Sequence, residues 1–255
     1  MNTKNLEAAA DIIRTARRVA GFTGAGISVE SGIPPFRGEG GIWSKYDPSL
    51  FDIHYFQTQP EKAWELIKEI FYSYFGKAEP NGAHIALARL EVEGKLSCII
   101  TQNIDSLHQE AGNTDVVEFH GNSRRLVCLK CSTKLLFTEA LFDNMPPRCE
   151  ECSGILKPDF IFFGEAIPVL AQERALTETR LADVWIVIGT TGTVFPAASI
   201  PIMAKQNGST IIEVNARPSA FTDDITDIFL EGKAAGVMTA LIELLYPEDT
   251  PAQEE

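Results

Sequence analysis

The residue types best suited to catalysis lie in one stretch, residues 101–121, which reads TQNIDSLHQEAGNTDVVEFHG. An apolar segment, LSCII, precedes it and is predicted to form a strand, so Gln102, Asn103 and Asp105 should follow a strand end. A second predicted strand, VVEF, delivers His120. Because ligands bind at the carboxyl ends of strands in an open parallel sheet, we expect these side chains to lie near one another. The alternative is a polar loop with a surface histidine.

The elements that must position these residues follow from hydrophobic patterning. Residues 4–18 and 60–75 are predicted to form helices, and a short helix, SLHQEA, is expected to be capped by Ser106. In the C-terminal half, apolar segments predicted as strands, beginning with LKPDFIFFGE, alternate with helical segments. This alternation predicts a parallel, doubly wound sheet. The polar tail, residues 248–255, is expected to be disordered.

Two glycines follow the first predicted strand, in the segment VAGFTGAGIS. Gly24 and Gly26 flank Ala25, and closely spaced glycines after a strand let backbone amides approach a phosphate. The full dinucleotide-binding fingerprint is not met, because Val29 stands where a third glycine would be. A phosphate site and an ordinary turn therefore both remain open at this point.

The next segment, residues 30–52, is rich in Gly, Pro and Ser and is long for a connection. Long loops in compact domains are often binding loops or lids. Arg37, which follows Phe36, is the obvious partner for an anion in this loop. The alternative is a solvated arginine.

Two CxxC pairs, CLKC and CEEC, predict a metal site. Each pair places two thiolates on one turn, and two pairs complete a tetrahedron, as in structural zinc sites. The ligands would be Cys128, Cys131, Cys149 and Cys152. Four thiolates leave no open position, so the zinc would be structural; the alternative is two free dithiols. Cys98 lies in an apolar segment and is expected to be a buried, small hydrophobic residue.

The composition narrows the classes of partner. The chain carries 35 acidic against 22 basic residues, a formal net charge of -13, and such a surface repels nucleic acid. No apolar run approaches the ~20 residues that span a bilayer, so no membrane association is expected. The N-terminus has no signal-peptide pattern, so we expect a cytoplasmic protein with reduced thiols.

Taken in order, the runs GAGIS, SGIPPFRG, TQNIDSLHQEAG, FHG, the two CxxC pairs, FFGE, GTTGTVFPAA and VNARP resemble the sirtuins, the NAD-dependent protein deacylases. The resemblance covers nearly the whole chain. It implies an α/β fold: a Rossmann-type doubly wound parallel sheet with a smaller domain made of a helical insertion and a four-cysteine zinc module. The implied Rossmann-type domain comprises residues 1–37, 80–122 and 156–255, and the small domain comprises residues 38–79 and 123–155.

The resemblance also implies the roles of individual residues. NAD would be the cofactor, His120 the general base, and Asn103 a catalytic residue that orients ribose or water. The implied NAD-binding residues are Gly24, Ala25, Gly26, Phe36, Arg37, Gln102, Asn103, Ile104, Asp105, His120, Gly189, Thr190, Thr191, Asn215, Ala216 and Arg217. The implied peptide-binding residues are Ile161, Phe163, Gly164, Glu165, Val194 and Phe195.

The implied reaction is deacetylation of acetyl-lysine in a protein or peptide by a monomeric enzyme, with release of nicotinamide and O-acetyl-ADP-ribose. Relatives that remove acidic acyl groups resemble one another in a Tyr and an Arg three residues apart in the first helix of the small domain. The corresponding segment here, IKEIFYSYFGK, has no arginine, so a neutral acyl group is expected. The alternatives are an NAD glycohydrolase or mono-ADP-ribosyltransferase using the same site, and a non-catalytic NAD sensor.

The sequence departs from the commonest sirtuin pattern at three positions. Pro35 stands where many members have aspartate, Thr191 where serine is usual, and Lys157 where arginine is common. Threonine keeps the hydroxyl group. Pro35 is expected to alter the rigidity of the loop more than the type of reaction.

Overall fold

A computed structural model describes residues 2–38, 40–73 and 77–247. Its strands are β1 (Val19–Thr23), β2 (Leu96–Thr101), β3 (Val116–Glu118), β4 (Gly121–Cys128), β5 (Lys134–Leu136), β6 (Leu156–Phe160), β7 (Val184–Ile188), β8 (Thr210–Asn215) and β9 (Ile228–Glu231). Its α-helices are α1 (Thr3–Thr15), α2 (Ile53–Thr58), α3 (Pro60–Ile67), α4 (Gly82–Val92), α5 (Leu107–Glu110), α6 (Val169–Leu181), α7 (Ser199–Gln206) and α8 (Ala234–Leu245). Short 3-10 helices span Ala25–Ser31, Ile42–Ser44, Pro48–Phe51 and Glu139–Asp143, and a π-helix spans Lys68–Tyr72. The tail expected to be disordered, residues 248–255, lies outside the described residues.

The larger sheet has six strands in the order β3-β2-β1-β7-β8-β9. Its neighbouring strands pair in parallel, and β1 and β7 are buried along their whole length. Burial on both faces explains why VAGFT and VWIVI are unbroken apolar runs. The chain moves outward from β1 to β3 on one side and from β7 to β9 on the other. The carboxyl ends of β1 and β7 are therefore the switch point of the sheet, where ligands bind in this architecture.

Helices cover both faces of this sheet, which confirms the predicted doubly wound architecture. On one face α1, α4 and α8 bury side chains such as Ile13, Leu87 and Leu241. On the other face α6 and α7 contribute Ala175 and Ile200. Within the described residues, no helix is long and apolar enough to cross a membrane.

The second sheet is antiparallel, with three strands in the order β5-β4-β6. The expectation that LKPDFIFFGE begins a strand of the parallel sheet is wrong, because β6 pairs with β4, with Cys128 opposite Leu156. Pro158 lies opposite Leu126 and has no N–H to donate, so β6 suits an edge position. Phe160 packs in a hydrophobic cluster with Phe71 and Phe162, and this contact helps to hold β6 beside β4.

The first helix is shorter than the predicted span of residues 4–18. It ends at Thr15 because the chain then turns toward Asp183. The carboxylate of Asp183 accepts hydrogen bonds from the backbone N–H groups of Arg17 and Arg18, at 3.0 and 2.8 Å. These N–H groups therefore bond to Asp183 and do not continue the hydrogen bonds of the helix.

Two other local expectations need correction, and one strand was missed. The helix expected over residues 60–75 consists of α3 followed by the π-helix, and its residues 74 and 75 lie outside the described residues. Ser106 precedes α5 but has a φ of 64° and no capping side-chain bond; the carboxylate of Asp105 caps this helix instead. Strand β9 was not predicted.

Trp64 of α3 is fully buried and connects the helical insertion to the second sheet. Its indole Nε1 donates a hydrogen bond to the carbonyl oxygen of Leu156 at 2.8 Å. We expect Trp64→Phe to lower the free energy of unfolding by about 1–3 kcal/mol, because it removes buried volume and leaves this carbonyl unpaired. Denaturant unfolding measures the change. The matched control, Leu170→Ala at an 80% exposed position, should change it by less than about 0.5 kcal/mol; equal effects would contradict the role of Trp64.

Candidate active site

A cavity of about 1010 Å³ opens at the carboxyl ends of the parallel strands. It brings together every residue expected to bind NAD or peptide except Asp105. These lining residues are Gly24, Ala25, Gly26, Phe36, Arg37, Gln102, Asn103, Ile104, His120, Ile161, Phe163, Gly164, Glu165, Gly189, Thr190, Thr191, Val194, Phe195, Asn215, Ala216 and Arg217. Sequence reasoning missed the aromatic side chains that line the same cavity, among them Trp43, Phe51 and Phe71.

The glycines after β1 are required by a close approach of two backbones. A Cβ atom on Gly26 would lie 2.6 Å from the Cα of Gly189, at the end of β7. The N–H groups of Gly24 and Gly26 donate to the carbonyl oxygens of Ile188 and Gly189, at 3.0 and 2.8 Å. These two amides therefore hold the loop against β7, and a side chain at Gly26 would clash with the backbone of Gly189.

The imidazole of His120 is held in one tautomer. Its Nδ1 lies 3.1 Å from the carbonyl oxygen of Gln102, the first residue after β2. A carbonyl can only accept, so Nδ1 carries the proton of the neutral ring and Nε2 carries the lone pair. Burial lowers the pKa of His120 below its ordinary value of 6.5, although the bond to Gln102 partly opposes that shift. The ring is therefore neutral at pH 7 and can act as a base.

The amide of Asn103 is also oriented by its hydrogen bonds. Its Nδ2 donates to the carbonyl oxygen of Gly24 at 3.3 Å and to the hydroxyl of Ser28 at 3.1 Å. These bonds use both amide hydrogens, so only the oxygen Oδ1 is left to meet a ligand. Asn103 is accordingly an acceptor for a hydroxyl group or a water molecule.

Asp105 lies behind Asn103, where it lines a separate cavity of about 40 Å³. The two cavities share five residues in their walls: Ala25, Phe36, Phe71, Asn103 and Ile104. The carboxylate accepts hydrogen bonds from the hydroxyl of Ser28 at 2.7 Å and from the backbone N–H of Leu107 at 3.0 Å. Burial, which outweighs these bonds, raises the pKa of Asp105.

Ser28, which joins Asn103 to Asp105, was missed by the sequence reasoning. It lies in the run GAGIS, in which only Gly24, Ala25 and Gly26 were assigned roles from the sequence. The side chain is fully buried, although serine is usually exposed.

The ends of β2, β7 and β8 are linked by polar side chains. Gln102 donates from Nε2 to the hydroxyl of Thr190 at 3.1 Å, and Asn215 donates from Nδ2 to the carbonyl oxygen of Thr190 at 2.7 Å. Thr191 follows and has its hydroxyl within 2.9 Å of that of Thr193. These residues form a polar rim on one side of the cavity.

The segment expected to bind a peptide is partly occupied within the chain. Phe163 donates its N–H to the carbonyl oxygen of Phe51, and its own carbonyl accepts from the N–H of Ile53, at 2.9 and 3.0 Å. An added strand would therefore meet the neighbouring Gly164. Phe163 and Phe195 keep 45% and 66% of their surface exposed, so two aromatic rings are available at the cavity mouth.

Lys157 forms hydrogen bonds that hold the segment expected to bind the peptide. The ammonium group is buried and donates to the carbonyl oxygen of Phe160 at 2.6 Å and to the carboxylate of Glu165 at 2.9 Å. It also lies 4.4 Å from the ring centroid of Phe162. Lys157, one of the three departures noted in the sequence, therefore has its ammonium group satisfied within the chain.

The four predicted metal ligands lie together. The Sγ atoms of Cys128, Cys131, Cys149 and Cys152 are all within 4.8 Å of one another. Zinc–sulfur bonds of about 2.3 Å in a tetrahedron require sulfur atoms about 3.8 Å apart. The separations of 3.5 Å for Cys128–Cys152 and 3.7 Å for Cys131–Cys149 fit that geometry. The cluster is therefore positioned to bind a metal ion, as expected for structural zinc.

Comparison with known proteins identifies the family. A model of the Sir2 family matches residues 24–196. The chain is also 44% identical over 238 residues to the NAD-dependent protein deacetylase of Caldivirga maquilingensis, an alignment that covers 92% of this chain and 91% of that protein. The chain belongs to the Sir2 family. The expected family is thereby confirmed.

Solved Sir2 structures share the fold. A Sir2 homologue in complex with NAD has a TM-score of 0.88 and 40% identity, over 97% of this chain and 94% of that chain. A Sir2 variant with a deacetylated p53 peptide and 3′-O-acetyl ADP-ribose has a TM-score of 0.87 and 34% identity, over 98% of this chain and 99% of that chain. This Sir2 protein therefore has the expected Rossmann-type sheet with a smaller domain.

The lowered pKa of His120 predicts the acid limb of the pH profile of this Sir2 protein. The acid limb of kcat/KM for NAD should have its midpoint below pH 6.5, because the ring loses its lone pair when it is protonated. Initial rates at NAD concentrations well below KM measure this limb, because kcat/KM reports the ionisation of the free enzyme. His120→Ala should abolish most activity at every pH, whereas His54→Ala, at an exposed position, should leave the profile unchanged. A midpoint above 6.5 in the wild type would contradict the assignment.

The cysteine cluster predicts that the purified protein contains about one zinc ion per chain. We expect Cys131→Ser to lose most of that zinc and to lower the melting temperature, because the site is then one thiolate short. Elemental analysis and thermal unfolding measure both effects. The matched control is Cys98→Ala in β2, which should keep its zinc. Full zinc content in Cys131→Ser would contradict the predicted site.

Proposed function

We propose that this Sir2 protein is an NAD-dependent protein lysine deacetylase, which transfers the acetyl group to ADP-ribose and releases nicotinamide. The observation that carries the proposal is the tautomer of His120, whose Nδ1 is occupied by Gln102 and whose Nε2 is free to take a proton beside Asn103. A binding protein for NAD would have no need of a neutral, oriented base. The relative from Caldivirga maquilingensis, named a deacetylase, supports the same conclusion.

The roles of the residues follow from their hydrogen bonds. NAD, when bound, supplies the ribose that accepts the acetyl group and the nicotinamide that leaves. With NAD bound, Nε2 of His120 would accept the proton of a ribose hydroxyl, whose oxygen could then receive the acyl group. Asn103 accepts a hydrogen bond at Oδ1 from the ribose or a water molecule. Asp105 acts through Ser28, which holds Asn103, and contact between Asp105 and the nicotinamide amide stays a prediction.

The residues that line the cavity suit a dinucleotide. Gly24, Ala25 and Gly26 present backbone without bulky side chains to the cavity, which suits a pyrophosphate, and Arg37 at the cavity wall supplies a positive charge for it. The polar rim made by Thr190 and Asn215 offers partners to ribose hydroxyls.

The acetyl-lysine peptide would enter between Phe163 and Phe195. We propose that it pairs with the backbone at Gly164 and passes its acyl group toward the aromatic wall of the cavity. This wall includes Trp43, Phe51 and Phe71, and apolar rings suit a neutral acyl group. Acetyl is therefore the proposed substrate group.

The domain assignment follows the same proposal, with one change. The Rossmann-type domain comprises residues 1–37, 80–122 and 161–255, and β6 joins the small domain with residues 38–79 and 123–155. A monomer in the cytoplasm remains the expected state. The net charge of -13 supports the further expectation that the protein does not bind nucleic acid.

The test is mass spectrometry of a reaction that contains NAD and an acetyl-lysine peptide. We expect acetylated ADP-ribose, nicotinamide and free lysine peptide in equal amounts, and no NAD consumption without peptide. Free acetate without acetylated ADP-ribose would contradict acyl transfer. NAD consumption without peptide would instead indicate a glycohydrolase. The same peptide carrying succinyl-lysine is the matched comparison, and faster removal of succinyl would overturn the proposed acyl group.

A further inference from the structure

Behind the cavity lies a buried histidine that none of the proposed roles uses. His108 of α5 has 1% of its surface exposed, and Thr23 and Thr101, which it reaches, are 0% and 3% exposed. These side chains are not among the residues that line the cavity. Burial of an imidazole costs free energy, and Nδ1 of His108 has no hydrogen-bond partner within the described residues, so a leucine would fill the same space at a lower cost.

The hydrogen bonds of His108 form a directed chain. Thr23 donates its hydroxyl hydrogen to the hydroxyl oxygen of Thr101 at 2.9 Å. That hydrogen is thus used, so the 2.9 Å contact between Thr23 Oγ1 and His108 Nε2 is a bond donated by His108. Thr101 Oγ1 in turn accepts the backbone N–H of Asn103 at 3.1 Å.

The chain ends on the peptide group between Gln102 and Asn103, whose carbonyl oxygen orients the proposed base. Thr23 and Thr101 are the last residues of β1 and β2 and lie opposite each other in the sheet. Gln102, the next residue, donates its N–H to the carbonyl oxygen of Thr23 at 2.9 Å and receives the bond from His120 Nδ1 on its own carbonyl. The peptide groups on both sides of Gln102 are therefore fixed by the two threonines.

His108 is itself held in place and uncharged. The ring of His84, which is fully buried, lies edge-on to it with centroids 5.0 Å apart. His84 is anchored because its Nδ1 accepts the backbone N–H of Asn81 at the start of α4. Burial lowers the pKa of His84 to about 4 and that of His108 well below its usual value. A neutral His108 acts through its hydrogen bond and not through charge.

We propose that His108 is a positioning residue for the reaction: through Thr23 and Thr101 it aligns the Gln102 carbonyl and Asn103 with His120. The inference rests on the proposed deacetylase function. It gives His108, which lies outside the cavity, a role in turnover. The buried ring of His84 packs against His108 and holds it in place.

The test compares variants that remove one link each. His108→Leu removes the donor and keeps the volume, His108→Gln keeps a donor near the former Nε2, and Thr101→Val keeps the shape without the hydroxyl. We expect kcat to fall about tenfold or more in His108→Leu and Thr101→Val while the KM for NAD changes less than about threefold. His108→Gln should recover most of kcat. The double variant His108→Leu/Thr101→Val should have about the same kcat as the less active of the two single variants, because both substitutions break the same chain of hydrogen bonds.

The matched control is Thr179→Val in α6, which removes a similarly buried hydroxyl that donates to Leu176 of its own helix and accepts from Asn207, far from the proposed chain. It should lose stability without loss of kcat. If His108→Leu does not fold, the kcat of Thr101→Val alone tests the inference. A wild-type kcat in folded Thr101→Val would overturn the inference and would leave the proposed function standing.

Hydrogen exchange at the backbone amide of Asn103 gives a readout that does not depend on activity. Its protection should fall in His108→Leu and in Thr101→Val, while that of Val187 in β7 stays unchanged. If the wild type has no deacetylase activity while exchange at Asn103 is still faster in both variants, the proposed function is refuted and the chain of hydrogen bonds is supported. Unchanged exchange at Asn103 in both variants would refute the chain itself.

Discussion

The hydrogen bond from His120 Nδ1 to the carbonyl oxygen of Gln102 is the contact on which the rest of the site depends. It exists because β3 pairs in parallel beside β2, with Thr101 opposite Glu118, so the residues after the two strands come together. In the buried site this bond is stronger than in water, and it fixes which ring nitrogen can take a proton. Parallel pairing thus provides the oriented base.

The two sheets meet at this base. β4 begins at Gly121, directly after His120, and ends at Cys128, the first residue of the cysteine cluster. A metal ion at the cluster therefore fixes one end of the strand whose other end carries the base. The smaller domain completes the wall through aromatic contacts, since Phe71 packs against Phe36 and Phe160 with ring centroids 6.2 and 5.3 Å apart.

Much of this was predictable from the sequence, because the main signals are local. Unbroken apolar runs gave the buried strands β1 and β7, and paired CxxC motifs gave the cysteine cluster. The partner of β6 was not predictable from hydrophobicity, since an apolar run fits either sheet, although Pro158 favours an edge strand. Ser28 and His108 were missed because their roles come from contacts between residues distant in sequence.

The most direct test of the central claim is the tautomer of His120 by ¹⁵N NMR of the imidazole ring, assigned by comparison with His120→Gln. The chain has only 4 histidines, so the ring signals can be separated. At pH 7 we predict a neutral ring with the hydrogen on Nδ1 and a lone pair on Nε2. A ring protonated at both nitrogens, or a neutral ring with its hydrogen on Nε2, would contradict the account.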